Sequence, residues 1–104
     1  MTLKLKADPT YFAKVEIPTP NGAVEIKVEY KHMTRDAYKT FLEAEAKLGR
    51  SDEESLMDIM AGWAGVDAEF SKEAVSQLCQ QYHAAPRAIV EGFIYSLTQS
   101  RLGN

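Results

Sequence analysis

The sequence predicts an α+β protein, mostly α, in which an N-terminal β-hairpin is followed by about four amphipathic helices in one domain. Two observations predict it. Apolar residues recur at every second position up to Tyr30 and at every third or fourth position from Thr34 onward. Three of the four prolines, Pro9, Pro18 and Pro20, also fall in the first part, and none follows until Pro86. At 104 residues the chain can bury one modest core, and a composition of 45% apolar and 26% charged residues is that of an ordinary globular domain. We therefore expect residues 1–104 to form one domain, with an extended segment and hairpin over 1–32 and a helical part over 33–104.

The hairpin is expected from about Tyr11 to His32. Val24, Ile26, Val28 and Tyr30 alternate with Glu25, Lys27, Glu29 and Lys31, the period of a half-buried strand. Upstream, Ala13, Val15 and Ile17 alternate with Lys14 and Glu16, and the stretch Pro18 to Gly22 supplies turn residues, with Gly22 suited to positive φ. The charges on the outer faces are expected to pair across the strands.

The helices are expected near 34–48, 52–62, 71–83 and 86–100. Thr34 suits the first N-cap, Met33 and Tyr38 sit as a hydrophobic staple, Ala37, Phe41, Ala44 and Leu48 form a stripe, and Gly49 suits the stop. Ser51 to Glu54 reads as a capping box, followed by Leu56, Ile59, Met60 and Trp63 at helical spacing, with the end near Gly62 or Gly65. Ser71 repeats this pattern with Phe70 and Val75 as staple and with Val75, Leu78, Cys79 and Tyr82 as stripe. Pro86 suits the first turn of the last helix, which carries Ile89, Val90, Phe93, Ile94 and Leu97. Trp63 and Phe93 are the expected core anchors.

The chemistry-bearing residues form no recognisable constellation. Cys79 and His83 are one helical turn apart, but a structural zinc site needs four ligands and a catalytic one three plus water, and no CxxC or HExxH motif supplies the rest. Cys79 reads as a small core residue and His83 as a helix-end residue. There is no Gly-x-Ser-x-Gly elbow, no phosphate-binding loop and no EF-hand spacing among Asp52, Glu53, Glu54 and Asp58. We expect no catalytic, cofactor-binding or metal-binding residues, and no enzyme activity. A net charge of −3 opposes non-specific nucleic-acid binding. No apolar run approaches the ~18 residues of a membrane span. A single cysteine and the lack of an apparent leader point to a reducing cytosol.

What remains is surface for other proteins. Tyr11 and Phe12 are adjacent on one strand and so face opposite ways, which leaves one aromatic outside the inner layer. Met57 widens the apolar arc of the second helix beyond one packing stripe, and methionine suits adaptable interfaces. Tyr11, Phe12 and Met57 are the candidate protein-contact residues.

The order of segments resembles one known family. Thr2 to Phe12, Val15 to Pro18, Tyr30 to Asp36, Leu56 to Trp63, Val66 to Ser71, Tyr82 to Ile89 and the terminal Arg101 to Asn104 are similar, in that order, to the tail assembly chaperones of long-tailed bacteriophages (siphophages). The resemblance spans nearly the whole chain and implies a non-enzymatic morphogenesis protein of phage or prophage origin. Its implied partner is the tape measure protein, kept soluble while the tail tube polymerises in the host bacterial cytoplasm, the chaperone being absent from the mature virion. Many members also have a longer form made by translational frameshifting, whose extension recruits the tail tube protein. Self-association as a homo-oligomer, in a ring or string, is compatible with several copies acting on one long client. The alternative is a small adaptor or regulatory protein-binding domain.

Overall fold

The computed structural model describes residues 2–99. Strands β1 (Thr10–Thr19) and β2 (Gly22–Lys31) form the expected antiparallel hairpin, with Tyr11 opposite Tyr30, Val15 opposite Ile26 and Ile17 opposite Val24. The turn is Pro20 and Asn21, and Gly22 leaves it at φ +109°, where a side chain would strain the backbone. Helices α1 (Arg35–Glu45), α2 (Asp52–Ile59), α3 (Lys72–Gln81) and α4 (Ala85–Thr98) follow, and between α2 and α3 runs a third strand, β3 (Met60–Ala64). The α+β class, mostly α, is as the periodicity predicts.

The hairpin's outer face is solvated, and its charges pair across the strands on a diagonal rather than directly opposite. The register sets Lys14 directly against Lys27 and Glu16 directly against Glu25, so like faces like. The observed ion pair is the diagonal Lys14 Nζ to Glu25 Oε1 at 3.8 Å between exposed side chains, a contact of little energetic weight.

The caps account for the helix starts. The Thr34 hydroxyl accepts from the Ala37 N–H, Ser71 from the Ala74 N–H, and Ser51 and Glu54 form a reciprocal capping box. Pro86 lies in the first turn of α4. The helix ends differ more. Helix α1 stops at Glu45, three residues short of the expected Leu48, whose side chain is fully exposed rather than packed. Gly49, at φ +85°, serves the turn into α2. Arg50 joins the two helices there: its Nε donates to Glu45 Oε1 at 2.9 Å and to Ser55 Oγ at 3.3 Å, and its guanidinium also pairs with Asp58. Helix α4 ends at Thr98 with Gln99 in the left-handed region at φ +57°; the expected end at Ser100 and the segment 101–104 lie outside the described residues.

The second helix is corrected by three residues, with consequences for the whole sheet. At Met60 the backbone turns extended, φ −105° and ψ 136°, and β3 joins β2 antiparallel, Trp63 opposite Val28 and Gly62 opposite Glu29. Glycines at 62 and 65 disfavour helix, and pairing satisfies the second edge of β2. Gly62 has a specific reason: a Cβ there would lie 2.9 Å from Glu29 Oε1. The Glu29 side chain thus lies across the strand where a side chain is missing.

The core lies between the sheet's inner face and the helices. Val15, Ile17, Ile26, Val28 and Tyr30 meet Leu56 and Ile59 from α2, Val75 from α3, and Ile89 and Phe93 from α4. At its centre the Tyr30 hydroxyl donates to the Ile89 carbonyl at 2.7 Å. The Tyr30 ring lies 5.4 Å from Phe93, and Phe93 lies 5.6 Å from Phe41 in an edge-to-face arrangement. Burial lifts the Tyr30 phenol well above its ordinary ionisation range, with Tyr11 adding to the shift.

Candidate functional site

The ten-residue strands of the hairpin overhang the five-residue β3. Because β3 pairs with β2 only from Lys27 to Tyr30, the turn end of the hairpin runs on beside a loop instead of a strand. Gly65 begins that loop at φ +87°, and a Cβ on it would sit 3.6 Å from the Ile26 Cα, so the chain reverses tightly against β2. Trp63 pins the rest: its Nε1 donates to the Ala68 carbonyl at 2.8 Å and its ring meets Phe70 edge-on at 5.3 Å.

This arrangement leaves an open apolar groove between the hairpin's turn end and α3. One hollow of about 280 Å³ is floored by Ile17, Val24 and Ile26 and walled by Val66, Leu78 and Tyr82. A second, of about 470 Å³, continues past Val66, Leu78 and Tyr82 toward Trp63, Gln77 and Gln81. Asp67 lines both hollows and is the charged side chain they share. Val24 is 51% exposed and Tyr82 39%, both large apolar surfaces open to solvent. The groove can take up an apolar side chain or a helix edge and has an acid at its rim.

The candidate contact residues lie elsewhere. Tyr11 faces inward, its hydroxyl 2.9 Å from Ser96 Oγ and its ring 5.7 Å from Tyr30. Phe12 faces outward and is 62% exposed, beside a shallow hollow with Lys14, Lys27 and Ala64. Met57 is partly buried against the core, and its carbonyl accepts from Lys31 Nζ at 3.0 Å. The three do not form one surface: Tyr11 and Phe12 are on opposite faces of the sheet, and Met57 is on α2. Trp63, expected as a buried anchor, is only partly buried, because it sits on an edge strand and holds the groove's loop.

Sequence reasoning missed the groove because it depends on β3. Read as helix, Met60 to Ala64 gives no short strand and therefore no overhang. The available signal was the pair Gly62 and Gly65 flanking a tryptophan.

Cys79 and His83 do not build a reactive centre. Among the described residues no group of three His, Cys, Asp or Glu side chains is placed to share a metal ion. His83 is exposed in the turn after α3. Burial pushes the Cys79 thiol up to about 11 from its ordinary 9.0, with Asp52 and Glu53 adding to the shift. Only the thiolate reacts, so two units correspond to a thiolate fraction lower by roughly 100-fold near neutral pH. A thiol reagent at pH 7.5 should label the folded protein slowly and the urea-unfolded chain much faster; equal rates would contradict the buried setting.

The described residues thus form a small α+β domain with an open apolar groove beside the hairpin turn. The chain belongs to the phage tail assembly chaperone family, whose sequence profile matches residues 1–104, the whole chain. Searches of curated proteins and of solved structures found no significant match. Membership fits a non-enzymatic role in phage tail assembly. No helix among the described residues is long and apolar enough to cross a membrane.

Proposed function

We propose that this protein binds the tape measure protein of its phage through the groove between the hairpin turn and α3, and keeps it soluble until the tail tube polymerises. The family match over residues 1–104 carries this reading, and the groove supplies the physics. A long helical client waiting for its tube exposes apolar stripes at helical spacing, and Ile17, Val24, Val66, Leu78 and Tyr82 offer an apolar bed for one such stripe. Each Å² of apolar surface covered contributes about 25 cal/mol before association costs are subtracted, so one short groove gives weak binding. Weak contacts suit a chaperone that must release its client, and several copies along one chain supply the avidity. Phe12 on the outer face of the sheet and Met57 on α2 lie apart from the groove and would make separate contacts.

In this reading the protein acts in the host cytoplasm and leaves before the virion is complete. A longer frameshifted form would add a segment that recruits the tail tube protein. Co-expression with the tape measure gene of the same genome tests the proposal. Soluble tape measure protein co-purifying with the folded domain is the expected result, and Val24→Lys in the groove should reduce both yield and co-purification. An insoluble, unbound tape measure protein beside folded domain would defeat it.

A further inference from the structure

The open end of the hairpin, away from its turn, carries a hollow that has no part in the groove. It lies where β2 hands over to α1 and where α4 ends, and at about 610 Å³ it is larger than either hollow of the groove. Its floor is Met33, Tyr38 and Leu97, all partly buried against the core. Met33 and Tyr38 occupy the staple positions on either side of the Thr34 cap, and the Tyr38 ring stands 6.3 Å from Phe93, so the floor is fixed by the core. Its rim is His32 and Arg35, both exposed. From Ile26 on the groove floor to His32 the chain runs about 20 Å at ~3.4 Å per residue, which separates the two concavities.

Charge decides what fits. The chain carries a net charge of −3, yet no carboxylate lines this hollow and Arg35 does; Asp36, next in the chain, is not part of the lining. Among the described residues Arg35 makes no ion pair. Its planar fork matches a carboxylate in two parallel hydrogen bonds. An inorganic anion would meet the fork and leave the apolar floor in water, whereas a peptide carboxylate beside a leucine or an aromatic covers both. A second copy of this chain has the wrong charge: its most exposed leucines, Leu3, Leu5 and Leu48, each stand next to a lysine, Lys4, Lys6 or Lys47.

We infer that this hollow docks a different protein by an acidic segment, with an aspartate or glutamate on Arg35 and a neighbouring leucine or aromatic side chain over Met33, Tyr38 and Leu97. The contact is independent of the groove and of the client reading above. Both concavities can be filled at once, so the domain can hold two different chains at its two ends.

The test is fluorescence anisotropy of labelled short peptides on the full chain. One peptide has aspartates flanking a Leu-Phe pair, a second has lysine in place of each aspartate, and a third has serine in place of the Leu-Phe pair. The first should bind, and the other two should bind more weakly by about tenfold or more, the loss expected of one charged hydrogen bond or of the apolar cover. Arg35→Glu should reverse the preference between the acidic and basic peptides. Acidic residues suit the first turn of a helix, so this variant should fold, which circular dichroism checks. Val24→Lys, at the other end of the hairpin, should bind the acidic peptide as wild type does. A basic peptide that binds wild type as tightly as the acidic one, a single-stranded oligonucleotide that binds more tightly than either, an Arg35→Glu variant that changes only self-association, or loss of acidic-peptide binding in Val24→Lys would each overturn the inference.

Discussion

Phe93→Ala should lower the free energy of unfolding by about 3–5 kcal/mol, the range for truncating a buried phenylalanine. Phe93 is fully buried on α4 and stands within ring contact of Tyr30, Tyr38 and Phe41, at 5.4, 6.3 and 5.6 Å. It thereby joins the hairpin, α1 and α4 in one aromatic cluster. Removing the ring discards its transfer energy and leaves a void that the three neighbouring rings, one on β2 and two on α1, cannot readily close. A small domain is stable by only about 5–15 kcal/mol, so much of the folded population is at stake. Urea melts should show a large fall in midpoint with an unchanged slope, and a midpoint near that of wild type would mean that the cluster is not the centre of the core. Trp63→Ala should be milder in the melt, because the ring is only partly buried, but should loosen the loop held at Ala68 and with it the groove.

These two aromatics also show how far the sequence could be read. Phe93 was legible because α4 repeats its apolar residues at one period from Ile89 to Leu97 and has a proline at its start, so its inward face follows from spacing alone. The hairpin was legible for the same reason, in period two. Trp63 was not. Leu56, Ile59, Met60 and Trp63 fit helical spacing, but the last two belong to a strand that exists because β2 has an edge to pair and Gly62 makes room for Glu29. A five-residue strand is too short to display its own period, and the fact that decides it is a long-range partner. The groove inherits the same difficulty, since its floor comes from β1 and β2 and its wall from α3. Tyr11 and Phe12 were a middle case: alternation fixed that they face opposite ways, and only the three-dimensional neighbours, Ser96 for one and the solvated outer face for the other, decide which is inside.

Gly92→Ala should destabilise the fold, against the general preference of helices for alanine, and Tyr30→Phe should rescue it in part. In the interior of α4, alanine is favoured over glycine by about 1 kcal/mol. Here the added Cβ would lie 2.8 Å from the Tyr30 hydroxyl and 3.1 Å from Val15 Cγ2. The hydroxyl cannot swing away, because its ring is buried and it donates to the Ile89 carbonyl one turn earlier on the same helix. Either α4 lifts off the sheet or that hydrogen bond breaks, and overpacking of this kind typically costs about 1–3 kcal/mol. Tyr30→Phe alone should cost about 1 kcal/mol, the worth of one buried hydrogen bond. In the double variant the phenylalanine vacates the space that the new methyl group needs, so the two losses should not add. The alkaline limb gives a second readout. Unfolded tyrosine ionises near ~10, and buried Tyr30 ionises at higher pH, so folding holds the proton. Its contribution is therefore complete below that unfolded value and is lost as pH rises through it toward the folded one. Tyr30→Phe should flatten the fall in stability above pH ~10, leaving the smaller part due to Tyr11 and Cys79, whose ionisation is also raised by burial. Additive losses in the double variant, or an unchanged alkaline slope, would place the Tyr30 hydroxyl away from Gly92.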